Sequence, residues 1–149
     1  MSNYPSWWDS SITIYNQFTD GETQVVTWQK TIIPSQCFWK HVTQELVVNN
    51  TIVEHDTVTC RFPAQANFIS PYEWVTSEAG AREGKFTLQP KDIIIHGECE
   101  EEIDEYTSGH RSTDLLEKYR RIQGCLEITS VSINTMSGMI LPHYNVRGY

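Results

Sequence analysis

Polar and apolar residues alternate from Ser11 to Phe18, the period-two pattern of a strand with one face on a core. Thr19-Asp20-Gly21-Glu22 follows, and Asp-Gly is the strongest short hairpin signal. Gln24 to Ile33 returns as a β-branched and aromatic strand. Pro34, which has no N–H to give to a ladder, is expected to end it. Gln36 to Val48, with Phe38 and Trp39, and Thr51 to Phe62, with Val53, Val58 and Cys60, predict a second hairpin. Its turn falls at Asn49-Asn50, because Asn tolerates positive φ.

The pattern then lapses. Residues 63–84 hold prolines, glycines and small residues without sustained periodicity, and read as a long central loop with one turn around Tyr72 to Val75. A loop of that length is expected to reach beyond the body and contact another protein or narrow a channel. Phe86-Thr87-Leu88 leads to a turn at Gln89-Pro90-Lys91-Asp92. Ile93-Ile94-Ile95 is a short apolar run, as in a strand covered on both faces. Leu115, Leu116, Tyr119 and Ile122 share one helical stripe. Ser112 or Thr113 is placed to cap that helix, Arg120 and Arg121 fall in its last turn, and Gly124 follows as a stop. From Leu126 to Asn134 the alternation slips at Thr129-Ser130, which predicts a bulge. A turn at Ser137-Gly138 and a last strand over Ile140 to Val146 complete the chain.

These elements predict one mostly β domain over 1–149: a small antiparallel β-barrel or sandwich of six to eight strands, with one helix near the C-terminus. Residues 1–10 form an N-terminal arm carrying Trp7 and Trp8. Trp anchors interfaces when exposed, so this arm either meets a partner or folds back over the barrel mouth. With Phe68, Tyr72 and Trp74 of the central loop, these tryptophans are the candidate protein-interface residues.

Composition narrows the chemistry. The 149 residues carry a net charge of −8 without a basic run, so no surface for nucleic acid or anionic lipid is indicated. Six acids, Glu98, Glu100, Glu101, Glu102, Asp104 and Glu105, crowd eight positions. They read as a solvated or channel-facing acidic strip, and their spacing is not that of a calcium loop. Cys37, Cys60, Cys99 and Cys125 are widely spaced without a short chelating pair, so they are expected to be reduced, core-packed thiols in a reducing cytoplasm. Met1 to Asp9 lacks the basic start and apolar stretch of a signal peptide, and no apolar run is long enough for a membrane helix.

His41, His55, His96, His110 and His143 form no helical ligand pair. Glu54-His55-Asp56 sets a base between two acids, but neighbours in a strand point to opposite faces. His96 reads as a satisfied histidine at the barrel end. Ser108-Gly109-His110 lacks the flanking glycine of a nucleophile elbow. No catalytic residue, metal ligand or cofactor is therefore expected.

Several segments together resemble a family. They are Trp8-Asp9-Ser10-Ser11-Ile12-Thr13-Ile14-Tyr15-Asn16, Val26-Thr27-Trp28 and Cys37-Phe38-Trp39-Lys40 in the first part of the chain. Later come Phe86-Thr87-Leu88, the stretch from Asp92 to Glu98, that from Ile103 to Gly109, and His143-Tyr144-Asn145-Val146-Arg147-Gly148. These look like small tailed-phage and prophage proteins of Gram-positive hosts, similar to siphophage head-closure (stopper), head-tail connector or minor capsid proteins. The resemblance implies a structural virion protein made in the host cytoplasm and placed in the neck. It implies a homo-oligomeric ring, sixfold or twelvefold, joining the portal or adaptor to tail proteins, with packaged DNA passing nearby and no membrane partner. A tail terminator or other minor capsid protein is the nearest alternative. A cytoplasmic small-ligand barrel, or an enzyme whose site is not marked in the sequence, is the alternative of another class.

Overall fold

A computed structural model describes residues 4–134 and 141–149. Its strands are β1 (Ser10–Thr19), β2 (Val26–Val48), β3 (Thr51–Pro63), β4 (Ile93–His96), β5 (Cys125–Asn134) and β6 (His143–Gly148). They close an antiparallel barrel in the order β1-β2-β3-β6-β5-β4, with β4 paired back onto β1. Three helices complete it: α1 (Pro71–Thr76), α2 (Ala79–Arg82) and α3 (Ser112–Ile122). The mostly β barrel with its helix near the C-terminus is thus as the patterning predicts. The turn expected at Ser137-Gly138 lies outside the described residues.

Pro34 does not end a strand, contrary to expectation. β2 runs unbroken for 23 residues through it. The register with β1 jumps from Ile33 opposite Ile12 to Cys37 opposite Ser10, and Gln36 sits at φ 65°. Pro34 is exposed within this irregularity, where no ladder bond is asked of it. Before the bend β2 pairs with β1; after it, from Phe38 on, β2 pairs with β3. One strand therefore turns a corner of the barrel and serves both hairpins.

The barrel is filled. Ile12, Ile14, Phe62, Ile94, Leu126 and Val146 are essentially inaccessible and belong to one apolar cluster inside it. A second cluster lies outside the sheet under α3, joining Tyr15, Ile93 and Ile95 to Leu115, Leu116 and Tyr119. The isoleucine run of β4 is thus covered on both faces: Ile94 belongs to the inner cluster, Ile93 and Ile95 to the outer one. Ile122, expected on the buried stripe, is 63% exposed, because the last turn of α3 runs past the sheet. Arg111, not Ser112 or Thr113, caps α3, and the Asp114 carboxylate accepts from the Arg111 N–H at 3.2 Å. Gly124 follows with φ 92°, the left-handed stop that glycine adopts without strain. The bulge predicted in β5 is present as a register shift between Ile128 and Ser130.

The central segment is not a loop reaching away from the body. It contains α1 and α2 and lies against the barrel. Trp74 is 1% exposed and its indole N–H donates to the Gln17 carbonyl at 3.0 Å. The Arg82 guanidinium stacks 3.5 Å from the Phe18 ring centre and also donates to the Ser77 carbonyl. Phe68 packs on Phe86 and Tyr144. Below them lies a buried polar knot. Asn16 Nδ2 donates to Asp92 and to the Thr87 carbonyl, while the Thr87 N–H donates to Asn16 Oδ1. The Gln17 N–H donates to Asp92 at 3.0 Å. Aperiodic segments bury single large side chains at irregular intervals, and a periodicity criterion passes over such anchors.

Candidate functional site

The β2–β3 hairpin is longer than the barrel. β1 accompanies β2 only up to Cys37, and β6 accompanies β3 only over Val58–Pro63. The two strands continue together from Val42 opposite Thr57 to Val48 opposite Thr51, with no third strand on either side among the described residues. Asn49 and Asn50, at φ 50° and 63°, close the hairpin as expected of consecutive left-handed residues. Residues 42–57 are therefore a two-stranded arm. At roughly 3.4 Å per residue, its tip stands about 20 Å beyond the last three-stranded pairing.

Its surface is unusual for something in water. Val47 and Ile52, opposite each other near the tip, are 74% and 67% exposed, and Val48 is exposed beside them. The register also sets Glu45 opposite Glu54, and like charges directly across an antiparallel pair are unfavourable. Between His41 and Val58 the sequence has three acids, Glu45, Glu54 and Asp56, and no Lys or Arg. The side chains of Glu54, His55 and Asp56, weighed above as a base between acids, lie outside the described part of the structure.

At the root of the arm is a groove of about 260 Å³, lined by Trp39, Val58, Arg120, Gly124, Cys125 and Tyr149 among others. Arg120 donates to the Tyr149 carbonyl at 3.2 Å and makes no carboxylate ion pair among the described residues. Trp39 stacks flat on His96, with ring centres 4.9 Å apart. Both His96 nitrogens have partners, the Gln123 carbonyl at 3.2 Å and Ser10 Oγ at 3.0 Å, so this is a satisfied histidine at the barrel end.

The predicted interface residues do not come together. Trp7 is 66% exposed, whereas Trp8 folds back onto Tyr4, Phe38 and His143. The Tyr4 hydroxyl ties the same segment to the Pro142 carbonyl. Tyr72 is 76% exposed on α1. Phe68 and Trp74 are not on offer to a partner: their rings hold the central segment to the barrel.

Nor are the six acids one free strip. The segment from 98 to 105 is pinned by buried Cys99 and Ile103, and four of its acids have partners within the chain. Glu101 pairs with Lys118 at 3.0 Å and Glu102 with Lys30 at 3.2 Å. Hydrogen bonds from Tyr119 and Lys118 hold the Glu101 carboxyl below its usual range. Asp104 accepts from the Tyr106 N–H and the Thr107 hydroxyl, which lowers its carboxyl likewise. Glu105 accepts from the Trp28 indole at 3.1 Å and from the Ser112 N–H, at the start of α3, at 2.9 Å. Glu98, Glu100, Glu102 and Asp104 are exposed, so the run is largely solvated, as expected, while Glu101 and Glu105 are part-buried. Charge density alone does not distinguish a solvated run from one whose acids hold a crossing segment in place.

All four cysteines are free and buried. Burial pushes the Cys37 thiol up to about 12 and Cys125 up to about 11, and raises Cys60 strongly, so these sulfurs stay protonated and poorly nucleophilic. Among the described residues no group of three or more His, Cys, Asp or Glu is arranged to hold a metal ion.

The arm is the feature that the sequence reading missed. Its strands and its turn were legible, but its lack of neighbours was not. One signal was available: after the Pro34 irregularity β2 still has more residues than the partner strands can cover.

Residues 7–149 match a family described only as being of unknown function, DUF6751, and the chain belongs to that family. No curated protein matches the chain, and no solved structure does.

Proposed function

For this member of the DUF6751 family, we propose an architectural role: a ring-forming subunit of a tailed-phage virion, a head-closure or head-tail connector protein between the portal region and the tail. The observation that carries the reading is the β2–β3 arm, a two-stranded ribbon with an apolar tip outside a closed barrel, its edges meeting no third strand among the described residues. Natural proteins cover, charge or twist away such edges, because they template pairing with other chains. A two-stranded hairpin is marginal in water by itself, so an arm of this kind is built to be completed by a partner. The body supplies the rest of what an assembling subunit needs: a rigid core and no demand on its interior. The resemblance supplies the assembly, and the net charge of −8 suits a neighbour of packaged DNA that must not hold it.

A tail terminator or minor capsid protein would use the same arm in the same way. The small-ligand barrel is disfavoured, since the barrel interior is occupied by Ile12, Phe62, Leu126 and Val146.

The test is the mass of the purified protein in solution, followed from micromolar to millimolar concentration, together with its position in purified particles. Wild type should form a closed oligomer. A variant in which 43–56 are replaced by an Asn-Gly turn, joining Val42 to Thr57, should remain a folded monomer. A wild type that stays monomeric throughout and is absent from particles would overturn the reading.

A further inference from the structure

We infer that the groove at the root of the arm is the socket for the arm tip of a second copy, so that subunits join head to tail. This rests on the self-assembly reading above and names the two surfaces that meet. The tip cannot reach its own groove. Pairing runs without a break from Phe38 opposite Arg61 to Val48 opposite Thr51, and eight residues of strand separate Trp39 from Val47. At roughly 3.4 Å per residue the tip is held about 27 Å from the groove that shares its root. Only another molecule's tip can enter.

The chemistry of the two surfaces is complementary. The tip presents Val47, Val48 and Ile52, all exposed, and the groove has an apolar floor of Trp39, Val58 and Cys125. The arm sequence is acidic without a cation. The rim of the groove carries Arg120, whose one fixed bond is to the Tyr149 carbonyl, leaving further N–H groups for a carboxylate. Arg121, the next residue of α3, does not line the groove but adds positive charge near it; its side chain is 81% exposed and meets Glu117 only at 3.9 Å, a surface pair of little strength. Exposed Tyr149 extends the apolar rim. The backbone register sets Glu45 opposite Glu54, a like-charge placement that an added cation offsets. A neighbour's guanidinium supplies such a cation to an arm that has no Lys or Arg of its own. Because tip and groove are different surfaces of one chain, the contact is heterologous, and its repetition closes a ring when the rotation per subunit divides a full turn.

The decisive experiment uses charge reversal in the full chain. Glu45→Lys with Glu54→Lys, and separately Arg120→Glu with Arg121→Glu, should each weaken assembly at least tenfold, by the same mass measurement. An equimolar mixture of the two should recover it, because every contact in an alternating ring again joins opposite charges. Arg121→Glu alone, at an exposed side chain that makes only the weak pair with Glu117, guards against misfolding at Arg120 and should weaken assembly in the same direction. A photo-crosslinker at Ile52 should join peptides spanning 120–149 of another copy. Wild-type assembly should weaken as salt rises. Crosslinks from position 52 to 42–57 of another copy would mean arm-to-arm pairing and overturn the inference. Charge variants that assemble as wild type does would overturn it too, while leaving the ring reading intact. A wild type that stays monomeric and is absent from particles would remove the ring reading itself.

Discussion

The two halves of the β2–β3 hairpin share strands, register and turn, yet live in different environments. Below Trp39 and Cys60 the hairpin has a third and a fourth strand beside it, and its inward side chains are inaccessible. Beyond Val42 and Thr57 no third strand pairs with it among the described residues, and Val47, Val48 and Ile52 face water. The difference is not one of strand propensity, since the outer half is as rich in β-branched residues as the inner. It shows that strand formation and strand burial are separate decisions. A chain that spends apolar β-branched residues on an uncovered ribbon keeps them for a surface outside itself.

That contrast can be broken at its strong end first. Phe62, fully buried in the inner half, should cost about 3–5 kcal/mol when changed to Ala. Urea unfolding of the monomeric arm-shortened variant measures it, and a loss below about 1 kcal/mol would mean that the inner half is no better covered than the arm.

Trp74→Ala tests whether the central segment belongs to the covered region. It should cost up to about 5 kcal/mol. It should also free residues 64–92 to proteolysis, because the indole both fills the contact with β1 and donates to Gln17. Unchanged protease resistance would return that segment to the status of a surface loop.

Asp92 sharpens the comparison through pH. Burial pushes its carboxyl up to about 7, against the opposing hydrogen bonds from Gln17, Asn16 and Gln89. A folded-state value above the unfolded one, near ~3.9, favours the folded state while the group is protonated. That stability is fully present below the unfolded value and is lost as pH rises through about 7. The carboxylates of Asp20, Glu101 and Asp104 are shifted down and act in the opposite sense, at lower pH. Body stability should therefore decline from about pH 4 to about pH 7 by a few kcal/mol at most, and Asp92→Asn should flatten that decline. Denaturation midpoints across this range check it, and a slope unchanged by Asp92→Asn would assign it elsewhere.

The smallest effect belongs to the arm. Ile52→Ala should alter monomer stability by no more than about 0.5 kcal/mol, since the side chain is 67% exposed. Its effect on assembly should nevertheless be a clear loss. A stability cost comparable to that of Phe62→Ala would mean that the arm tip is covered within its own chain.

Local signals in the sequence determined much of this protein. Alternation marked the strands of both hairpins, and Asn49-Asn50 placed a turn that needs two left-handed residues. Ile93-Ile94-Ile95 announced a strand buried on both faces. The helical stripe followed by Gly124 announced α3, and the slipped phase at Thr129-Ser130 announced the bulge in β5. Each of these depends on a residue and its neighbours within a turn or two. The tertiary structure alone decided that β2 passes through Pro34 and changes partner there, and that Trp74 and Phe68 turn inward. It alone decided that Glu101 and Glu105 are part-buried against groups on other elements, while Glu102 and Asp104 have partners yet stay exposed. It also decided where along one long hairpin the cover ends. Periodicity reports which face of a segment is apolar, whereas the neighbour that covers that face comes from strands and helices distant in the chain. For the arm, among the described residues, the chain supplies no such neighbour.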